Sequence, residues 1–199
     1  MNTVIIDYNA GNIRSVCFAF ERLGINPTLS ADPEIIKSAD KVIFPGVGEA
    51  GSTMNYLKNQ KLDLVIKSLK QPVLGICLGM QLLCEHSEEG NTDCLSIIPQ
   101  KVIKFVPEHS DKVPHVGWNS FYTSPNIDPH GLFNHVADKS YLYFVHSYYV
   151  ENGPYTVALT DYILPFSAAL QKDNFYATQF HPEKSGVVGE QILKNFLGL

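Results

Sequence analysis

Apolar residues recur along the first half of the chain in two alternating rhythms. Thr3–Asp7, Lys41–Phe44 and Pro72–Ile76 hold short apolar runs of the kind that become strands buried on both faces. Between them, Asn12–Leu23 places Ile13, Val16, Cys17, Phe20 and Leu23 on one helical face, and Gly24 supplies a stop. Helical patterning returns around Ser52–Asn59, near Asp63–Lys70 and over Leu78–Glu85. Strands alternating with helices predict βαβ units, and hence a parallel sheet with helices on both faces.

After Glu85 the rhythm shortens. Lys101–Val106, Ser140–Val145, Tyr148–Val150, Thr156–Leu159, Ser167–Gln171 and Phe175–Gln179 are aromatic and β-branched runs set apart by Pro, Gly, Asn and Asp. They predict mostly antiparallel strands that extend or flank the sheet, followed by a terminal helix over Gly189–Phe196. With no repeat, low-complexity tract or linker, residues 1–199 read as one α/β domain.

Composition narrows the function classes. Fifteen basic against twenty acidic residues give a formal charge of −5 with no run of Lys or Arg, which argues against a nucleic-acid-binding role. The opening Met1–Asp7 has no basic segment and is interrupted by Asp7, so it reads as a first strand and not as a signal peptide. No stretch approaches membrane-spanning length. Cys17, Cys77, Cys84 and Cys94 show neither CxxC spacing nor a secreted disulfide pattern, and a reducing cytoplasm is the expected home.

The chemistry centres on Cys77. It stands between two glycines in Gly75-Ile-Cys-Leu-Gly79, where a short strand gives way to a helix. Such an elbow needs small neighbours and exposes a nucleophile at the carboxyl end of a sheet. The helix N-terminus favours a thiolate, and the Leu78 N–H is placed to meet an oxyanion. A buried structural cysteine on an ordinary turn is the plainer reading. Downstream, Thr178-Gln-Phe-His-Pro-Glu183 puts His181 and Glu183 two residues apart in extended chain, where side chains project to one side. That spacing offers a base and a carboxylate to orient it, although a strand-end His and a solvated Glu would look the same. Taken together, elbow and pair point to acyl transfer.

Other motifs carry less. Gly46-Val-Gly-Glu-Ala-Gly51 matches a dinucleotide-binding glycine pattern, but it follows the wrong strand and opens on Pro45. A glycine loop beside the elbow, donating a second N–H from Val47 or Gly48, is the better functional reading, and a plain βα turn is the simpler one. In Asp7-Tyr-Asn-Ala-Gly11-Asn12, Asn12 is a natural N-cap at the functional edge of the sheet. Trp118 is a core residue by default, or an aromatic contact in a loop marked by Pro114, Gly117 and Asn119. His146 is a rival base without a carboxylate two residues on, and so reads as structural. Glu89 reads as a solvated helix end, or as a partner for an ammonium group. No histidine shows metal-ligand spacing, and no cofactor is implied.

Pro45-Gly-Val-Gly48, Gly75-Ile-Cys-Leu-Gly-Met-Gln81, His146-Ser-Tyr148 and Gln179-Phe-His-Pro-Glu-Lys-Ser185 together resemble the class I, or triad, glutamine amidotransferases along the whole chain. The Asp7–Asn12 opening and Pro114-His-Val-Gly-Trp-Asn119 resemble more narrowly the glutaminase subunits of imidazole glycerol phosphate synthase, of histidine biosynthesis. The resemblance implies a flavodoxin-like three-layer fold and a Cys77–His181–Glu183 triad that hydrolyses L-glutamine to glutamate and ammonia. It also implies oxyanion donors at Leu78 and the Val47–Gly48 loop, with glutamine positioned by Gln81, Glu89, Ser147 and Tyr148. Ammonia would pass to a separate (β/α)8 cyclase subunit in a heterodimer, with Asn12, Trp118 and Asn119 on segments that line the interface. In such subunits the oxyanion loop is unproductive until the partner and its ligand bind, so the isolated chain is expected to be a weak glutaminase. Three other readings stand beside this one. They are a glutaminase subunit feeding another sugar or nucleotide synthase, a silent module on the same scaffold, and a generic cysteine hydrolase.

Overall fold

A computed structural model of the 199-residue chain describes residues 1–8, 11, 13–107, 111–124 and 131–199. The first half builds four parallel strands: β1 (Thr3–Ile6), β2 (Thr28–Ser30), β3 (Lys41–Phe44) and β4 (Val73–Ile76). Their connections carry α1 (Ile13–Arg22), α2 (Pro33–Lys37), α3 (Ala50–Asn59) and α4 (Leu62–Ser68), and α5 (Leu78–Leu83) follows β4 directly. The second half adds β5 (His86–Ser87), β6 (Thr92–Asp93), β7 (Lys101–Lys104), β8 (His115–Thr123), β9 (Tyr141–His146) and β10 (Tyr148–Val150). It closes with β11 (Thr156–Tyr162), β12 (Leu164–Lys172), β13 (Phe175–Thr178) and α6 (Gly186–Gly198).

Nine of these strands form one sheet in the order β2-β1-β3-β4-β13-β12-β11-β8-β9, and β10-β7-β5-β6 form a smaller one. Beyond β13 every pairing in the large sheet is antiparallel, as the shorter rhythm of the second half predicts. β13 itself lies parallel to β4, with Thr178 opposite Ile76. The segments that leave these two strands, beginning at Cys77 and Gln179, therefore emerge side by side.

The unbroken apolar runs are explained by burial on both faces. Val4, Ile6, Val42, Phe44 and Val73 point into one core shared with α2, α3, α4 and α5. Ile5, Ile43, Leu74 and Ile76 point into the other, shared with α1 and α6. Each strand thus alternates between two apolar layers, giving the three-layer α/β arrangement that the motifs imply.

Three differences from the sequence reading have physical causes. β2 and α2 were not expected: β2 is a three-residue edge strand, and α2 is a five-residue helix capped by Asp32, too short for a periodic signal. β8 begins just after Pro114 and runs through His115-Val-Gly-Trp-Asn119, whose turn-forming residues suggest a loop, because pairing with β9 overrides local propensity. Trp118 is accordingly neither in the core nor in a loop; it stands 55% exposed on β8, edge-on to Tyr143. The expected cap and interface residue Asn12 lies outside the described residues.

The end of β3 and the start of α5 touch backbone to backbone. A Cβ added at Gly79 would lie 2.0 Å from the Phe44 carbonyl oxygen, and one at Gly46 would lie 2.3 Å from the Gly79 nitrogen. Neither neighbour can retreat, since both belong to regular elements. Gly79→Ala is expected to lower unfolding stability by about 3 kcal/mol or more, the range of severe overpacking. Denaturant unfolding measures this; near-wild-type stability would mean that β3 and α5 can separate without cost.

Candidate active site

β4 delivers Cys77 to the carboxyl edge of the sheet and then turns abruptly. Cys77 has φ 54° and ψ −109°, a conformation that side-chain-bearing residues avoid, and α5 begins at the next residue. Holding it there costs on the order of 1–3 kcal/mol. The surroundings impose the kink: the Cys77 N–H donates to the Thr178 carbonyl at 2.7 Å, and its own carbonyl accepts from the Gln81 N–H at 3.2 Å. Only 8% of the residue is exposed. Its sulfur lies 3.7 Å from Gln179 Nε2 and 3.9 Å from the Val145 carbonyl oxygen.

β13 delivers the second half. After Thr178 the chain continues to His181 and turns through Pro182–Lys184 as one 3-10 turn. His181 Nδ1 donates to Glu183 Oε1 at 2.7 Å, and the two side chains are 3% and 2% exposed. Ser185 braces the turn by accepting from the Tyr143 N–H at 3.0 Å and donating to the His181 carbonyl at 2.6 Å. His181 Nε2 has no hydrogen-bond partner among the described residues, which leaves it free to exchange a proton. Burial by itself disfavours an imidazolium here, but Cys77 and Glu183 outweigh it and hold the His181 pKa well above its ordinary value.

A cleft of about 350 Å³ joins these halves. Val47, Gly48, Cys77, Leu78 and His181 line it together with Gln81, Glu89, Ser147 and Tyr148. Gly48 sits at φ 127°, so the loop uses a backbone state that glycine alone adopts readily. Glu183 and His181 also line a second, smaller cavity together with Pro45 and Gly46. Glu89 Oε2 accepts from the Ala50 N–H at 2.8 Å, which ties the cleft wall to the start of α3. Burial raises the Glu89 pKa; the Ala50 hydrogen bond opposes the shift and Glu49 adds to it. Trp118 and Asn119 do not line this cleft; they lie on β8.

Four residues outside the sequence reading bear on the site. Gln179 is fully buried between Gln81 and Cys77, and the same two-residue spacing that singles out His181 and Glu183 could have singled it out too. Tyr8 donates its hydroxyl to the Pro45 carbonyl and so fastens the loop before Gly46 to β1. Ser185 follows from the turn geometry. His115 meets His146 across β8 and β9, a pairing that no local pattern announces. His146 lines the cleft, but its ring is committed to His115 and to the Tyr148 carbonyl. It is not a second base.

A thiol on a strand-to-helix kink, with a buried His–Glu pair following the adjacent parallel strand, has the chemical parts that cysteine acyl transfer needs. The chain belongs to the class-I glutamine amidotransferases, the family "Glutamine amidotransferase class-I" matching residues 4–198. It is 60% identical to "Imidazole glycerol phosphate synthase subunit HisH" of Bacteroides thetaiotaomicron, each chain covered in full. It is 47% identical to the protein of that name in Escherichia coli K12 over 99% of both chains. In fold it is similar to the crystal structure of a putative GMP synthase subunit from Thermoplasma acidophilum, with a TM-score of 0.74 and 19% identity. That match covers 100% of this chain and 93% of the other.

Burial lowers His115 to about 4 and His146 to about 3, from an ordinary 6.5. The unfolded chain therefore binds more protons than the folded one as the pH drops below 6.5, and stability falls in that direction. Each histidine should contribute a slope approaching about 1.4 kcal/mol per pH unit. Urea unfolding at pH 7, 6 and 5 measures it, and His146→Asn should flatten the slope. An unchanged slope would mean that His146 already titrates normally in the folded chain.

Proposed function

We propose that this chain is the glutaminase subunit of an imidazole glycerol phosphate synthase, hydrolysing L-glutamine and passing the ammonia to a separate (β/α)8 cyclase subunit in the cytoplasm. One observation carries the chemistry: a kinked Cys77 shares a cleft with His181, and His181 is hydrogen-bonded to a buried Glu183 at 2.7 Å. Full-length identity of 60% to a protein named as that synthase's HisH subunit supports the pathway.

In this reading the Cys77 thiolate attacks the side-chain amide carbon of glutamine. The oxyanion is met by N–H groups of Leu78 and of the Val47–Gly48 loop. His181, cationic beside the thiolate, gives its Nε2 proton to the departing ammonia, and a γ-glutamyl thioester remains on Cys77. The neutral imidazole then takes a proton from water, which attacks the thioester and releases glutamate and the thiolate. Glu183 fixes the ring and supports its charge. Glu89 holds one carboxylate oxygen on Ala50 and offers the other to the α-ammonium of glutamine. Gln81 uses its Nε2 hydrogens on Tyr148 and Gln179, so its Oε1 faces the substrate as an acceptor. Ser147 and Tyr148 complete the grip on the α-carboxylate end.

Trp118 and Asn119, on β8, together with Asn12, mark the surface proposed for the cyclase. Ammonia formed at Cys77 must reach that partner before it is protonated in solvent. The φ 127° state of Gly48 lets the Val47–Gly48 peptide reorient when the partner binds, so the isolated chain should be a slow enzyme.

Glutamate release from glutamine tests the proposal. The chain alone should turn over weakly, and adding a cyclase barrel with its nucleotide ligand should raise the rate by an order of magnitude or more. Robust turnover without any partner would overturn the gating. No stimulation by this barrel would point to a glutaminase subunit of another synthase. Cys77→Ala should remove hydrolysis, by a factor of about 10⁴ or more, while leaving the fold intact. A glutamine-like diazo-ketone should label Cys77 and no other cysteine. Hydrolysis near the wild-type rate in Cys77→Ala would overturn the nucleophile.

A further inference from the structure

Two buried histidines outside the Cys77–His181–Glu183 group take no chemical step in the hydrolysis described above. His115 on β8 and His146 on β9 are 4% and 6% exposed, and their rings meet with His115 Nδ1 3.1 Å from His146 Nε2. His146 Nδ1 lies 2.7 Å from the Tyr148 carbonyl oxygen, an acceptor only, so this nitrogen carries the proton. His146 Nε2 is then the acceptor, and His115 Nδ1 must donate to it. That leaves His115 Nε2 to accept from Asn119 Nδ2 at 3.4 Å. The Asn119 amide is oriented independently: its Nδ2 donates to the Asp161 carbonyl at 2.9 Å and its Oδ1 accepts from the Ser120 N–H at 2.8 Å. One proton assignment satisfies every group. A second proton breaks this assignment: on His115 Nε2 it would face the Asn119 amide N–H, and on His146 Nε2 it would face the His115 N–H, which agrees with the burial-lowered pKa values of both.

The same Tyr148 carbonyl accepts a second hydrogen bond, from Gln81 Nε2 at 3.0 Å. Gln81 Nε2 also reaches Gln179 Oε1 at 3.0 Å, and Gln179 Nε2 reaches the Cys77 sulfur at 3.7 Å. A chain of hydrogen bonds thus runs from Asn119 on β8 to the sulfur of Cys77. Aromatic rings lock it in place: His115 stacks on Tyr162 at 4.0 Å, and Phe105, Phe144 and Phe166 surround His146.

We propose that His115 and His146 are positioning residues: their hydrogen-bonded pair sets the Tyr148 carbonyl, and through it the amide orientation of Gln81 and Gln179, against glutamine and Cys77. This rests on the glutaminase reading above. A turned Gln81 would present an N–H where the substrate needs an acceptor, and Gln179 would lose its aim at the sulfur.

The complex with the cyclase tests this through His146→Phe, which keeps the ring volume and removes both hydrogen bonds, and through His146→Asn, whose Nδ2 can still donate to the Tyr148 carbonyl. His146→Phe should raise KM for glutamine roughly tenfold with kcat changed by less than about threefold, and His146→Asn should restore most of the loss. A purely structural role would lower stability in both variants without splitting KM from kcat. Wild-type KM in His146→Phe would overturn the proposal. Nitrogen-15 spectra of the wild-type imidazoles supply a readout that needs neither activity nor a folded variant. Both histidines should be neutral and protonated on Nδ1 at neutral pH; a charged ring, or a proton on His146 Nε2, would overturn the pair. If the wild-type complex shows no glutaminase activity, the functional reading fails, and these spectra still decide whether the pair exists.

Discussion

The contact on which the site depends is the near-collision of three backbones at the carboxyl edge of the sheet. Phe44 ends β3, Gly75 and Ile76 end β4, and Gly79 lies in the first turn of α5, with no room for a Cβ at Gly46 or Gly79 and a tight fit at Gly75. Because α5 is pressed this closely against β3, the chain leaving β4 has to reverse within one residue. That residue is Cys77, and its left-handed backbone is the outcome. The loop from Pro45 to Gly48 is forced across the same junction, which is why it forms a wall of the cleft. Tyr8 fixes its near end and Glu49 caps α3 at its far end, leaving Val47 and Gly48, past the tightly packed Gly46, as the adjustable part.

The second half of the molecule completes the site without supplying the kink. β9 and β10 bring His146, Ser147 and Tyr148 to the cleft, and the Ser185 hydroxyl fastens β9 to the turn that carries His181 and Glu183. Most of the polar groups buried on this side of the cleft are hydrogen-bonded to one another. The unsatisfied atoms are informative. Among the described residues, His181 Nε2 and Glu183 Oε2 are buried without partners, and the first of these is the atom to which the proposed mechanism assigns proton transfer.

How much of this could be read from the chain follows from the range of the forces involved. The parallel half was legible because a strand buried on both faces leaves an unbroken apolar run, and Ile5, Ile43 and Leu74 do so. Cys77, His181 and Glu183 were legible because each sits in a tight local geometry with its own spacing rule. β8 was not, since Gly117, Asn119 and Ser120 lose their turn preference only when β9 pairs with them. Trp118 followed β8 out of the core for the same reason. The His115–His146 contact was hidden completely: it spans 31 residues and depends on the register of that unexpected strand. Gln179 lay in plain view beside His181 and was missed only because amides rarely attract notice as functional groups.

β4 and β13 are spatial neighbours separated by most of the second half of the chain. Gln179 touches the sulfur of a residue 102 positions earlier. During synthesis the elbow leaves the ribosome long before the histidine does, so a nascent chain carries Cys77 before His181 can be set beside it. The cleft is assembled only when the last strand docks, and closing so long a loop is entropically among the slower steps a fold of this size can take. Under the proposed mechanism, connectivity thus delays reactivity until the cleft that confines it exists. A different strand order with the same residues would bring the two together on a half-made protein.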